Sequence, residues 1–224
     1  MSTFVQSVIF DFNGTLFFDN DKHVKAWGKV SQELRGRPVS TDELLNRLNG
    51  VPNKEIIAYF MGGEATPEQV ETYSSRKEAY YREFCRQDEG SFHLVAGATE
   101  LFDELTRLGI PFTIASASIK ANIDFFVESF GLDRWIDPDL IVYDDGTVSN
   151  KVAMFQKAAA LLGATMEGSL VFEDSPSGLR NAVQTGCSRV VLVGPESQRT
   201  EPGAAGVVQR IGTFEEFDRT LLKI

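Results

Sequence analysis

Apolar residues recur along this chain with two different periods, and the two occupy different stretches. Ser7-Val8-Ile9-Phe10 is a short continuous apolar run of strand-forming residues, and it ends on Asp11. From about residue 18 to 90 the pattern turns polar and helical. Val24, Trp27, Val30 and Leu34 share helical spacing over 21–34, Thr41 precedes an acidic first turn, and 53–59 repeats the period after Pro52. Thr66-Pro67-Glu68-Gln69 carries a cap residue followed by proline and opens a long helix through Phe84.

From residue 95 strands and helices alternate. Helices are expected at 98–108, 122–130, 152–162 and 177–185, with strands at 111–115, 140–143, 169–172 and 189–193. A closing amphipathic helix is expected at 214–222. Strands separated by helices of about ten residues imply right-handed βαβ units and a mainly parallel sheet. The predicted fold class is therefore α/β, a Rossmann-like parallel core over residues 1–16 and 93–224. A small helical domain, 17–92, is inserted after the first strand.

Composition narrows the partners. The 224 residues carry a formal net charge of −10, which argues against nucleic acid, because phosphate backbones are held by clustered Lys and Arg. Two cysteines far apart in sequence and two histidines form no structural zinc-site pattern and suggest reduced thiols. The amino terminus runs into a strand without a signal-peptide pattern, and no apolar run approaches the ~18 residues that span a bilayer. A cytoplasmic monomer without membrane or nucleic-acid partners is the expectation.

The candidate chemistry lies at strand ends. Asp11 follows the first strand, Ser116-Ala117-Ser118 the second, Glu173-Asp174 a later one, and Lys151 is expected in a loop before a helix. Carboxyl ends of a parallel sheet converge on one edge, so these groups can meet. Carboxylates from two strands form a hard oxygen site suited to Mg²⁺, which favours phosphate as a co-ligand. A serine and a lysine beside it can hold the other phosphate oxygens. Each residue alone also has an ordinary reading as a turn, a cap or a solvated side chain; the ordered set is more specific.

In that order and context the chain resembles the haloacid-dehalogenase superfamily of phosphotransferases. The likeness is to the branch with a small helical cap, which contains β-phosphoglucomutases and sugar-phosphate phosphatases. It rests on Asp11 with Gly14 and Thr15, on Ile114-Ala115-Ser116-Ala117-Ser118, on Lys151, and on Glu173-Asp174-Ser175-Pro176-Ser177-Gly178. His23-Val24-Lys25-Ala26-Trp27 matches a cap signature. The resemblance implies Asp11 as nucleophile, Ser116, Ala117 and Lys151 around phosphate, and Asp11, Asn13, Glu173 and Asp174 around Mg²⁺. It implies that cap residues such as His23, Asn53, Lys54 and Lys77 read the organic part of a small phosphorylated metabolite.

Three departures change this picture. Relatives usually carry aspartate at position 13 as general acid and base, whereas a carboxamide transfers no proton; its backbone carbonyl still binds metal. Phe17-Phe18-Asp19-Asn20 and Val152-Ala153-Met154-Phe155 also differ from the family's usual segments. The expected activity is a Mg²⁺-dependent phosphohydrolase working through an aspartyl phosphate, slowed by Asn13 or specialised for good leaving groups. Other accounts have another residue supply the proton, or Asn13 standing where the natural chain has aspartate. The alternatives are a β-phosphoglucomutase-like phosphohexomutase and a non-catalytic phosphometabolite-binding protein.

Overall fold

The computed structural model describes residues 4–43, 48, 51–147, 150–195 and 203–223. The chain divides into two compact units, Met1–Phe18 with His93–Ile224, and Asp19–Phe92.

The larger unit is built on a parallel sheet of six strands among the described residues. They are β1 (Ser7–Phe10), β2 (Phe112–Ile119), β3 (Val142–Asp144), β4 (Ser169–Glu173), β5 (Val190–Val193) and β6 (Val207–Ile211). Their order is β3-β2-β1-β4-β5-β6. This is the Rossmann order, and it reverses direction between β1 and β4, the position at whose carboxyl ends open α/β sheets bind ligands. Phe10 pairs with Phe172 on one side and with Ile114 on the other. Asp11 therefore leaves the sheet beside Glu173 and Ala115.

Helices cover both faces, and strand alternation assigns the core to each. Phe10 stacks on Phe172 at 4.9 Å and meets Phe102 of α5 (Ala98–Leu108) edge-on at 5.2 Å. Ile9 and Val171 face the other way, into Met154, Phe155 and Ala158 of α7 (Lys151–Leu161) and Leu179 of α8 (Pro176–Gln184). Helix α6 (Lys120–Phe130) brings Phe126 onto Phe12, with ring centroids 4.1 Å apart.

Several sequence expectations need correction. Lys151 does not lie in a loop: the Asn150 side chain accepts the Ala153 N–H at 3.0 Å, and the capped helix starts on the lysine itself. Residues 214–222 form no continuous helix. Phe214–Glu216 and Arg219–Leu222 are separate 3₁₀ turns that bury Phe214, Phe217 and Leu222. Strand β6 is an addition, and β2 runs on past Ala115, so that Ser116 and Ser118 lie within a strand.

The smaller unit is helical: α1 (Asn20–Arg35), α2 (Thr41–Glu43), α3 (Asn53–Met61) and α4 (Pro67–Gln87). The remainder of the helix expected after Thr41 lies outside the described residues, save Leu48. Trp27, Val30, Ile56, Ile57 and Phe60 form its core. The start of α4 is a reciprocal capping box: the Thr66 N–H donates to Gln69 Oε1 at 2.8 Å, and the Gln69 N–H to Thr66 Oγ1 at 3.3 Å.

Candidate active site

Asp11 is 7% exposed, and its backbone N–H still donates into the sheet, to Phe172 O at 2.9 Å. The strand thus fixes where its carboxylate begins. Lys151 Nζ donates to Asp11 Oδ1 and, at 2.8 Å, to Ala115 O; it lies 3.5 Å from Glu173 Oε1. The Thr15 hydroxyl reaches Asp11 Oδ2 at 3.3 Å. One lysine from a helix start thereby ties the ends of β1 and β4 to the middle of β2.

Glu173 is held by the turn that follows it. Its Oε2 accepts the Asp174 N–H at 2.9 Å, and the Ser175 N–H and hydroxyl at 3.1 Å each. A Cβ built on Gly178 would stand 1.9 Å from the Glu173 carboxyl carbon, and one on Gly14 would stand 2.2 Å from Asp174 Oδ2. Gly14 also has φ of +79°, a backbone region that favours glycine. Both glycines therefore make room for carboxylates.

Asp11, Glu173 and Asp174 each bring an oxygen to within 4.8 Å of the others. Three clustered carboxylate oxygens suit a hard divalent cation. Three carboxylates against one ammonium leave an excess of negative charge on full ionisation. Its consequence is visible in the titration of the cluster. Burial, with Glu173 adding to it and Lys151 opposing it, pushes Asp11 up to about 6. Burial together with the charges of Glu173 and Asp11 pushes Asp174 up to about 8. Burial disfavours the Lys151 cation, but Asp11 and Glu173 outweigh it and hold the ammonium above its ordinary range.

Asn13 sits on the turn beyond Asp11. Its Oδ1 accepts the Ser118 hydroxyl at 2.6 Å and the Ser116 hydroxyl at 3.3 Å. Ser116 Oγ itself accepts the Ser118 N–H at 3.2 Å, which leaves its proton for Asn13. Ala117, between them, is exposed. Ser118 and Ser175 stand in the motifs quoted above, with no site role expected for either from sequence. Ser118 was legible: residues i and i+2 of a strand share a face, so Ser118 follows Ser116. Ser175 carried an N-cap signal directly after the acidic pair.

The smaller unit holds a polar cluster of its own. Asp19 and Lys77 are buried, and His23 lies between them. Tyr81 donates its hydroxyl proton to Asp19, His23 Nε2 lies 3.3 Å from Asp19 Oδ2, and Lys77 Nζ lies 2.9 Å from His23 Nδ1. Lys77 also pairs with Glu78 at 2.8 Å, and the His23 ring stacks on Tyr81 at 4.2 Å. His23 and Lys77 are thus brought together. Asn53 and Lys54 open α3, with Lys54 exposed.

Fold and site together define an α/β enzyme whose acidic centre, balanced by a lysine, lies at the carboxyl edge of its sheet. The chain belongs to the haloacid dehalogenase-like hydrolases, whose family model matches residues 8–192. A crystal structure of a family IA, variant 3 hydrolase of this kind from Entamoeba histolytica is 33% identical and superposes with a TM-score of 0.87, covering 97% of each chain. The chain is also similar to the chloroplastic 5-amino-6-(5-phospho-D-ribitylamino)uracil phosphatase of Arabidopsis thaliana, 27% identical over 90% of this chain. It spans about half, 53%, of that relative's length. The phosphorylated carbohydrates phosphatase of Thermotoga maritima is 22% identical, covering 83% of this chain and 84% of its own. No helix of the described residues is long and apolar enough to cross a membrane.

Proposed function

We propose that this hydrolase is a phosphatase of small phosphorylated metabolites, with Asp11 as nucleophile and Mg²⁺ as cofactor. The observation that carries the reading is the position of Asp11. It stands at the β1/β4 switch point, charge-paired with Lys151 and within metal-sharing distance of Glu173 and Asp174. The names of the chloroplast and carbohydrate phosphatases support the substrate class.

In this reading Asp11, Glu173 and Asp174, with the Asn13 backbone carbonyl, would hold the cation. Bound there, Mg²⁺ supplies charge neutralisation for the phosphoryl group and for the acidic cluster. Asp11 attacks phosphorus in line and becomes an aspartyl phosphate, which water then hydrolyses. Lys151 orients the nucleophile and, with Ser116 and the backbone at Ala117, meets the phosphoryl oxygens. Positioning and electrostatics carry most of a phosphoryl transfer. Residues 19–92 would serve as a cap that excludes water, with His23, Asn53, Lys54 and Lys77 reading the organic part of the substrate.

The test is phosphate release from an aryl phosphate and a panel of sugar phosphates, with Mg²⁺ and with a chelator. Metal-dependent release is expected. Mg²⁺-dependent binding without product would favour a binding protein. Interconversion of glucose phosphates dependent on a bisphosphate primer would favour a mutase.

A further inference from the structure

We propose that this site, with its cation bound, is built for acyl phosphates, mixed anhydrides whose leaving group is a carboxylate, because the groups then gathered around Asp11 supply charge and hydrogen bonds but no proton. The inference rests on the phosphatase reading and deepens it.

The three N–H bonds of Lys151 meet three acceptors, Asp11 Oδ1, Ala115 O and Glu173 Oε1. The Thr15 hydroxyl is directed at Asp11. Glu173 accepts three hydrogen bonds from its own turn, and with Asp174 it belongs to the cation. That leaves the turn residue Asn13. Its oxygen is clamped by the hydroxyls of Ser118 at 2.6 Å and Ser116 at 3.3 Å. The clamp fixes the carboxamide, and a carboxamide neither gives nor takes a proton at ordinary pH.

An alkyl phosphate loses an alkoxide, which must be protonated as the P–O bond breaks. An acyl phosphate loses a carboxylate, stable as the anion. The step balances without an acid: an Asp11 oxygen forms a bond to phosphorus, the P–O bond to the acyl group breaks, and its electron pair leaves on the carboxylate. Phosphorus thereby moves from one carboxylate to another, between anhydrides of the same kind. Water then attacks phosphorus, Asp11 departs as carboxylate, and the water's proton passes to phosphate or solvent. General acid catalysis contributes about 10²–10⁴-fold, and the discrimination between the two substrate classes should have that size.

The experiment compares acetyl phosphate with glucose 6-phosphate in Mg²⁺, after subtraction of spontaneous hydrolysis. It also follows acid-quenched phosphoryl-protein by peptide mass spectrometry. The expected result is a kcat/KM for acetyl phosphate higher by about 10²–10⁴-fold, with phosphoryl found on Asp11. In Asn13→Asp the ratio should narrow by at least about tenfold, which separates the effect of Asn13 from the greater intrinsic reactivity of anhydrides. A glucose 6-phosphate kcat/KM within tenfold of that for acetyl phosphate would overturn the proposal while leaving a phosphatase. So would a ratio unmoved by Asn13→Asp. Release from neither compound, with no phosphoryl on Asp11, would remove the phosphatase reading and the proposal with it.

Discussion

Gly178 lies against Glu173 so closely that a Cβ on the glycine would stand 1.9 Å from the glutamate's carboxyl carbon. The first turn of α8 is therefore the floor on which one carboxylate of the acidic centre rests. Gly178→Ala should displace Glu173 from its three turn donors and destabilise the fold by about 1–3 kcal/mol, the usual cost of overpacking. Thermal melts of the two proteins, with and without Mg²⁺, check this. The variant should melt lower and gain less from the cation.

The acidic cluster also sets a pH dependence. Asp11 and Asp174 are raised from 3.8 to about 6 and about 8 in the folded protein. Between those limits the folded state holds protons that the unfolded chain releases, so stability without metal falls as pH rises from about 4 to 8. A cation competes with those protons. Mg²⁺ should therefore raise the melting temperature more at pH 8 than at pH 6. Melts at the two pH values, with Mg²⁺ and with a chelator, measure the difference.

Lys151 joins the ends of β1 and β4 to the middle of β2, and its removal leaves Asp11 and Glu173 facing each other without compensation. Lys151→Ala should lower kcat by about 10²–10³-fold, the size of loss that follows removal of one preorganised donor to a transition-state oxyanion. The loss should appear in kcat more than in KM if the lysine acts on the transition state. Steady-state kinetics on the best substrate of the panel decide the point.

Much of the site was legible because its residues follow strong local patterns. An apolar run ending in Asp11 reads as a strand with chemistry at its tip, and the sheet order places Glu173 beside it. The tail misled because Phe214, Phe217 and Leu222 have near-helical spacing. Asp218 instead caps a new turn at the Thr220 N–H, 2.9 Å away, and two 3₁₀ turns bury the same side chains. Strand β6 escaped notice because it lies at the sheet edge, where Val208, Gln209 and Arg210 are not buried and the alternation is lost. The clamp on Asn13 required a second strand to run past Ala115, and no local signal sets that length.

Every step of the mechanism depends on Asp11 as nucleophile. The most direct measurement compares the chain with Asp11→Ala, both shown to be folded by circular dichroism, for phosphate release and for phosphoryl trapped on the protein after acid quench. A phosphoryl group is expected on the peptide that contains Asp11, with loss of both trapping and turnover in the variant. Turnover that survives Asp11→Ala, or a phosphoryl group trapped on any other residue, would contradict it.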